Sequence, residues 1–220
     1  MPCIVFDMDG VLIDSERLVL RSWECVGKDM GLSGLHDLFF RCIGTTHAST
    51  RIIFSQVFGD AVDYEKFRDC TRVYYMKFTK DGIPLKPGVM ELLSWLREKG
   101  WKTGLASSSR EANVRRNMEI TGMGPYFDTL VCGDMLTASK PAPDIYLRAC
   151  AELHARAEDS YAVEDSRNGI LSASAAGMKA LLVPDMVAPD ETMLRSAHAV
   201  FPDLCAVRRW LAREEYQEEA

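Results

Sequence analysis

The sequence contains no apolar run that approaches the roughly 20 residues a helix needs to cross a membrane. Its N-terminus has no basic segment, and its first apolar run meets Asp7 at once. We therefore expect no secretory signal peptide. The net charge is −6 and the isoelectric point is about 5.3, without the basic excess that is typical of nucleic-acid-binding proteins. Neither a membrane nor a nucleic acid is therefore an expected partner.

The cysteine pattern excludes two further classes of protein. The seven cysteines are scattered, and no two form a Cys-x-x-Cys pair. An odd number without that spacing argues against a disulfide framework and against a zinc site. We therefore expect reduced thiols and a cytoplasmic protein. The chain of 220 residues is long enough for one domain with an insertion or for two small domains, and its composition does not indicate an oligomeric state.

The sequence does contain an acidic segment, Asp7-Met8-Asp9-Gly10, directly after the apolar run Cys-Ile-Val-Phe at residues 3–6. That run is typical of a buried strand, and α/β proteins bind ligands at the carboxyl ends of their strands. Two carboxylates about 4 Å apart repel each other by roughly 4 kcal/mol at an effective dielectric of about 20. Proteins usually neutralise such a pair with a cation or a proton. A solvated turn after an edge strand is the alternative.

A cluster of hydroxyls follows a second predicted strand. Residues 103–106 form this strand and lead into Ser107-Ser108-Ser109, before a helix that we expect to start near Arg110. Hydroxyls and free backbone N–H groups at a helix start suit a phosphate group. A plain helix cap, with Ser108 and Glu111 as a capping box, explains this segment equally well when it is taken alone.

Two later segments place charge at the same predicted edge of the sheet. Lys140 follows a predicted strand at residues 129–132, and the prolines after it stiffen the chain. The acidic pair Glu164-Asp165 follows a predicted strand at residues 160–163. A solvated lysine and an acidic pair that favours the next helix N-terminus are the ordinary alternatives. Two acidic pairs, a hydroxyl cluster and a lysine, all at strand ends, are nevertheless hard to explain by solvation alone.

The chain divides by its pattern into a helical segment and an alternating one. Between about residues 15 and 82, apolar residues recur at helical spacing, with one helix expected at about residues 46–58. Strand and helix alternate in the remainder, with a final predicted strand at residues 180–183. Residues 83–88 contain two prolines and a glycine and are typical of a linker.

These segments resemble the haloacid dehalogenase superfamily of phosphotransferases in their order and spacing. The resemblance runs from about residue 3 to about residue 185, with its motifs at Asp7-Met8-Asp9-Gly10-Val11, Ser107, Lys140 and Glu164-Asp165. The segment Ser139-Lys140-Pro141-Ala142-Pro143-Asp144 is especially similar to the branch that contains β-phosphoglucomutase and small sugar phosphatases. The resemblance implies an α/β fold, with a Rossmann-like parallel sheet in a three-layer α/β/α core and an inserted helical cap domain. The core would comprise residues 1–14 and 83–220, and the cap would comprise residues 15–82.

By this resemblance, the chain is a magnesium-dependent phosphatase that acts on a small phosphorylated metabolite, expected to be a sugar phosphate, through an aspartyl-phosphate. Asp7 is then the nucleophile, and Asp9 is the general acid and base. Lys140 offsets charge on the nucleophile and on the transferring group. Ser107 and Ser108 hold the phosphoryl oxygens together with Lys140.

The resemblance also implies a set of metal ligands. Mg²⁺ takes hard oxygen ligands and keeps several waters. The expected ligands are the side chains of Asp7 and Asp165 and the backbone carbonyl of Asp9. Glu164 is expected to assist through water.

A phosphosugar mutase of the β-phosphoglucomutase type is the main alternative, because it shares the first half-reaction. In those mutases an arginine of the cap grips a second phosphate, and His47 stands at its position here. The histidine at position 47 is a poorer phosphate clamp than an arginine. Val19 is a second departure, because those mutases carry a histidine at its position. Ser109 and Arg110 instead resemble the Ser-Lys contact of the family to the same phosphate, and Arg51 could substitute for the missing arginine. The balance favours a hydrolase.

Two other classes fit less well. A phosphoryl-accepting receiver domain of the response-regulator type also gathers acidic residues, a hydroxyl and a lysine. Its acceptor aspartate, however, lies in a central strand away from the first acidic pair, and it lacks a helical insertion of this size. A dehalogenase is disfavoured because Asp9, Asp165 and the implied metal would be needless there.

Overall fold

The computed structural model describes residues 3–45 and 47–218, with side chains up to residue 214. The chain forms two compact units. An α/β unit consists of the residues up to Asp14 together with those from Pro84 onward, and a helical unit consists of Ser15–Ile83. Among the described residues, no helix is long and apolar enough to cross a membrane. All seven cysteines are free thiols.

The described part of the helical unit contains four α-helices. They are α1 (Ser15–Met30), α2 (Leu35–Cys42), α3 (His47–Phe58) and α4 (Tyr64–Phe78). The helix expected at about residues 46–58 is α3, and residue 46 itself lies outside the described residues.

An indole ring at the centre of the helical unit holds its helices together. Trp23 of α1 lies edge-on to Phe39 of α2 at 5.4 Å between ring centroids. It makes the same kind of contact with Phe54 of α3 at 6.4 Å and with Phe67 of α4 at 5.1 Å. All four side chains are buried. Such edge-to-face pairs contribute about 0.5–1.5 kcal/mol each beyond the burial of their area, so Trp23 links all four helices.

The α/β unit is built on a parallel sheet of six strands in the order β3-β2-β1-β4-β5-β6. The strands are β1 (Cys3–Phe6), β2 (Lys102–Ser107), β3 (Thr129–Cys132), β4 (Ser160–Glu164), β5 (Lys179–Leu182) and β6 (Ala199–Val200). β1 lies inside the sheet, so Phe6 pairs with Leu105 of β2 on one side and with Val163 of β4 on the other. The predicted α/β class with a parallel sheet is confirmed. The sequence did not predict β6, which is too short to show a periodic pattern.

Helices cover the sheet, and they follow its strands in the chain. They are α5 (Val89–Glu98), α6 (Glu111–Thr121), α7 (Asp144–Glu152), α8 (Arg167–Ala175), α9 (Glu191–Ser196) and α10 (Leu204–Glu218). α7 and α8 pack on the face that carries Val5, Ala106 and Ala162. Ile4 and Phe6 point to the opposite face and are also fully buried, so both faces of the sheet are covered. Burial on both faces explains why the strands are nearly continuous apolar runs.

Two segments join the α/β unit to the rest of the chain, and they lie side by side. Ile13 and Leu85 form an antiparallel bridge, flanked by backbone hydrogen bonds of 2.8 and 3.0 Å. The ammonium of Lys86 donates to the buried carboxylate of Asp185 at 2.5 Å. Because Asp185 follows β5, this ion pair ties the second segment to the sheet.

His154 adopts a strained backbone conformation where α7 ends. It is the one non-glycine residue of the described chain with a positive φ, at 52°. Its N–H donates to the carbonyl of Ala151 at 3.0 Å, and the next N–H, of Ala155, donates to Cys150 at 2.9 Å. Glycine usually occupies this position after a helix, and a residue with a Cβ atom costs about 1–2 kcal/mol there.

We expect His154→Gly to raise the free energy of unfolding by about 0.5–1 kcal/mol, because part of the relieved strain is offset by the greater freedom of glycine in the unfolded chain. Urea denaturation measures the change. His36, exposed in α2, provides the matched control. His36→Gly, in the first turn of α2, should instead lower the free energy of unfolding by about 0.3–0.5 kcal/mol, because glycine favours a helix less than histidine does. A lower stability for His154→Gly would contradict the expectation.

Candidate active site

Loops at the carboxyl edge of the sheet bring the predicted charged residues together. Asp7 directly follows β1, and its N–H continues the strand pairing by donating to Val163 at 3.0 Å. Glu164 is the last residue of β4, and Lys140 lies between β3 and α7. All three side chains are buried. Two neighbouring strands and one long connection therefore place two carboxylates and an ammonium in the same buried space.

Lys140 is the central group of this cluster. Its Nζ donates to Asp7 Oδ1 at 2.6 Å and to Glu164 Oε1 at 2.6 Å. It also donates to the backbone carbonyl of Ala106 in β2 at 2.9 Å. An ammonium has three protons, so each of them is used. The alternative of a solvated lysine is therefore wrong.

Hydrogen-bond donors of the protein surround the carboxylate of Glu164. Oε1 accepts from Lys140 and from the hydroxyl of Tyr146 at 2.7 Å. Oε2 accepts from the N–H of Asp165 at 3.2 Å, and from the N–H and hydroxyl of Ser166 at 3.3 and 3.1 Å. These five donors occupy both oxygens, which leaves Glu164 little capacity to bind a cation directly.

Burial and mutual charge shift the proton affinities of the cluster. Burial raises the pKa of Asp7 to about 8, against the opposing effect of Lys140 and with further increases from Glu164 and Asp9. Burial alone would lower the pKa of Lys140, but Asp7 and Glu164 raise it above its ordinary value. Lys140 is therefore a permanent cation near neutral pH. With its pKa at about 8, Asp7 tends to hold a proton at neutral pH, and a cation bound beside it would favour the ionised form that a nucleophile needs.

The acidic residues also fit a metal ion. Carboxylate oxygens of Asp7, Glu164 and Asp165 all lie within 4.8 Å of one another. Hard carboxylate oxygens are the ligands that Mg²⁺ and Ca²⁺ prefer. Because protein donors occupy Glu164, the side chains best suited to direct coordination are those of Asp7 and Asp165.

Two glycines allow the carboxylates to approach the backbone closely. A Cβ atom at Gly169 would lie 1.9 Å from the carboxyl carbon of Glu164. Gly10 has a φ of +79°, and a Cβ atom there would lie 2.2 Å from Asp165 Oδ2. Any side chain at either position would push a carboxylate out of the cluster.

The hydroxyl cluster lies beside Asp9. The hydroxyl of Ser109 donates to Asp9 Oδ2 at 3.2 Å. The side chain of Ser107 is fully buried and accepts from the N–H of Ser109 at 3.1 Å. Ser108 and Arg110 are exposed. Ser109 is therefore the serine of this turn that binds the side chain of Asp9. The sequence did not indicate this contact.

The alternative of a capping box at Ser108 and Glu111 is wrong. The residue that caps α6 is Arg110, and its side chain makes no capping hydrogen bond. The N–H of Glu111 instead donates to Asp134 Oδ1 at 2.9 Å. Asp134 belongs to the turn after β3, so a distant loop caps this helix in place of the local motif.

His47 and Arg51, the predicted cap contacts, lie on α3 of the helical unit. His47 Nε2 is 2.6 Å from a guanidinium nitrogen of Arg68, and it is the acceptor because a guanidinium can only donate. Arg68 also pairs with Glu65 at 3.0 Å. Arg51 is exposed. The sequence therefore indicated His47 but missed its partner Arg68, which lies on a different helix.

Tyr146 is the main residue of the cluster that the sequence reasoning missed. It is fully buried on α7, and its hydroxyl donates to Glu164. It belongs to the apolar stripe of that helix, together with Ile145, Ala149 and Cys150. A buried tyrosine hydroxyl usually finds a partner. A tyrosine in an otherwise apolar stripe, shortly after Lys140, was the available signal.

Comparison with known proteins agrees with this geometry. A family model described as haloacid dehalogenase-like hydrolase matches residues 4–183. A phosphorylated carbohydrates phosphatase of Thermotoga maritima is 28% identical over 179 residues, which cover 81% of this chain and 83% of that protein.

Solved structures show the same fold. A hydrolase of the same family from Deinococcus radiodurans, solved with bound phosphate and sodium, has a TM-score of 0.78 at 25% identity and covers 96% of this chain and 95% of its own. A β-phosphoglucomutase of Clostridium difficile has a TM-score of 0.75 at 20% identity, over 99% of this chain and 97% of its own, a likeness that shows the fold alone. Since the family model spans most of the sequence, the chain belongs to the haloacid dehalogenase-like hydrolase family.

Proposed function

We propose that this hydrolase is a magnesium-dependent phosphatase, which removes phosphate from a small phosphorylated metabolite through an aspartyl-phosphate intermediate. The observation that carries the proposal is the buried ammonium of Lys140, 2.6 Å from both Asp7 and Glu164, next to a set of acidic oxygens suited to a cation. Phosphoryl transfer depends mainly on positioning and charge stabilisation. This cluster is built to supply both.

The reaction has two steps at Asp7. In the first, a carboxylate oxygen of Asp7 attacks phosphorus, the bond to the leaving oxygen breaks, and Asp9 gives its proton to that oxygen. In the second, Asp9 takes a proton from water, which attacks the aspartyl-phosphate and releases phosphate. The hydrogen bond from Ser109 to Asp9 supports this assignment, because it fixes one Asp9 oxygen at the edge of the site.

Other groups of the α/β unit stabilise the transferring phosphoryl group. Lys140 offsets the charge on the nucleophile and on the phosphoryl oxygens. Ser107, Ser108 and the neighbouring backbone N–H groups hold those oxygens. The exposed position of Ser108 beside the buried Ser107 is compatible with contact to an entering substrate.

Mg²⁺ would be held by the side chains of Asp7 and Asp165 and by the backbone carbonyl of Asp9. Glu164 would assist through water, which agrees with the five donors that already occupy its oxygens. When bound, the cation supplies positive charge that neutralises the carboxylates and polarises the phosphoryl oxygens.

The substrate class we propose is a sugar phosphate. The similarity to a phosphorylated carbohydrates phosphatase supports it. His47 and Arg51 of the helical unit, and Ser109 and Arg110 of the α/β unit, are the proposed contacts to the part of the substrate distant from phosphorus. Arg110 is exposed at the start of α6, which also favours the second candidate, a phosphosugar mutase. Against that candidate, His47 stands at the position of the arginine that grips the second phosphate in those mutases, and an imidazole lacks the bidentate guanidinium fork.

Asp7→Asn tests the nucleophile. We expect the variant to remain folded, because an amide oxygen can still accept from Lys140, and to lose turnover by about a thousandfold or more, because the attacking charge is gone. Phosphate release and thermal unfolding measure the two properties. Asp37→Asn, at a highly exposed position of α2, is the matched control and should match the wild type. Substantial turnover by folded Asp7→Asn, free of deamidation, would exclude Asp7 as the nucleophile.

Metal removal and two further variants separate the roles of the acidic residues. EDTA should abolish phosphate release, and added Mg²⁺ should restore it. Asp165→Ala should raise the Mg²⁺ concentration at half-maximal activity, because it removes a ligand. Asp9→Asn should instead lower kcat and leave that concentration nearly unchanged, because its backbone carbonyl remains. Full activity in a metal-free preparation would overturn the magnesium assignment.

An assay with β-glucose 1-phosphate and a trace of the 1,6-bisphosphate separates phosphatase from mutase. Glucose 6-phosphate and free phosphate are followed separately. We expect phosphate release to be faster, because a mutase needs a strong grip on a second phosphate and His47 lacks the bidentate fork of an arginine. Isomerisation that outruns phosphate release would reverse the choice between the two activities.

A further inference from the structure

Lys140 has no spare proton for the substrate. Its three N–H groups are used by Asp7, Glu164 and the carbonyl of Ala106. The inference below rests on the proposed function, in which Lys140 also contacts the transferring phosphoryl group. For that contact to form, one of its three hydrogen bonds must be released.

The contact to Glu164 is the one for which the structure holds a substitute. Without Lys140, Glu164 Oε1 would still accept from the Tyr146 hydroxyl at 2.7 Å. Oε2 would still accept from the N–H of Asp165 and from the N–H and hydroxyl of Ser166. The buried carboxylate would therefore keep four donors. Lys140 must keep its contact to Asp7, in contrast, because that contact stabilises the charge of the nucleophile.

Packing holds the Tyr146 side chain in one position, with its hydroxyl on Glu164. Its side chain is fully buried in the apolar cluster between α7 and the sheet. The Nζ of Lys140 lies 5.1 Å from the centre of its ring. Burial and the neighbouring Glu164 raise the pKa of Tyr146 well above its ordinary value, so the hydroxyl keeps its proton and remains a donor.

We propose that Tyr146 is a positioning residue of the phosphatase reaction. Its hydroxyl holds Glu164 Oε1 so that Lys140 can move one N–H from Glu164 to an oxygen of the transferring phosphoryl group. No bond other than hydrogen bonds is made or broken in this exchange. Without the hydroxyl, Glu164 is left with Lys140 as the sole donor to Oε1 and retains it more strongly.

The Tyr146 hydroxyl acts on the transition state. The contact between Lys140 and the phosphoryl oxygens is strongest when charge develops on them, and an interaction that strengthens in the transition state raises kcat. Ground-state binding relies on other groups, such as the serine turn after β2. Loss of the hydroxyl should therefore change kcat and leave KM almost unchanged.

Tyr146→Phe tests the proposal with p-nitrophenyl phosphate as substrate and saturating Mg²⁺. The ring and its packing remain, so we expect a folded protein with kcat lower by about tenfold, the scale seen when an outer partner of a site is removed, and KM within about twofold of the wild type. Tyr126→Phe is the matched control. Tyr126 lies in the turn that precedes β3, at the other end of the sheet, and its hydroxyl is 3.3 Å from the hydroxyl of Ser94. Loss of the Tyr126 hydroxyl should not change kcat.

Two further variants separate positioning from general stability. Tyr146→4-aminophenylalanine keeps an N–H donor and should hold kcat within about threefold of the wild type. In a Glu164→Ala background, Tyr146→Phe should cause no additional loss, because the carboxylate through which it acts is absent. A purely structural role would instead lower the unfolding temperature and leave the kcat of the folded protein unchanged.

The outcomes distinguish this proposal from the function on which it rests. Wild-type kcat in folded Tyr146→Phe, no recovery with Tyr146→4-aminophenylalanine, or an independent loss in the Glu164→Ala background would each overturn the role of Tyr146 alone. A wild-type protein that releases no phosphate from any phosphomonoester would overturn the proposed function, and the role of Tyr146 with it.

Discussion

The buried ammonium of Lys140 is the constraint on which the site and the central strands both depend. Moving an ammonium out of water costs several kcal/mol. The acceptors that offset this cost are Asp7 after β1, the Ala106 carbonyl of β2 and Glu164 of β4. Because these strands are neighbours, the charge is stabilised only when the parallel sheet is in its native register. Stability and chemistry therefore require the same arrangement of strands.

The sequence was sufficient for the fold class and for the place of the charged groups, because both follow from local rules. Short, mainly apolar runs marked the buried strands β1, β3 and β4, and parallel strands place their carboxyl ends at one edge. Asp7, Lys140 and Glu164 could therefore be assigned to that edge before any distance was known. Their individual chemical roles were inferred from the family resemblance, because spacing alone also allowed a solvated turn at Asp7 and a solvated side chain at Lys140.

What the sequence could not show depends on contacts between distant segments. Ser108 and Glu111 matched the local pattern of a capping box. The N–H of Glu111, at the start of α6, instead donates to the carboxylate of Asp134 from another loop. Tyr146 matched an apolar stripe, and only the packing of α7 on the sheet directs its hydroxyl to Glu164. His47 and Arg68 are 21 residues apart on different helices. Such pairings depend on how elements rotate and dock, which no local pattern records.

The bridge between Ile13 and Leu85, held to the sheet through Lys86 and Asp185, has a consequence for how such enzymes diversify. Because the α/β unit itself fixes the two ends of the helical insertion side by side, the entropy of closing the insertion depends only weakly on its length. An insertion can therefore grow, shrink or be exchanged for an unrelated one without disturbing the strands. On the proposal that His47 and Arg51 contact the substrate, selection can change substrate preference within the helical unit while the α/β unit keeps Asp7, Lys140 and Glu164 in place.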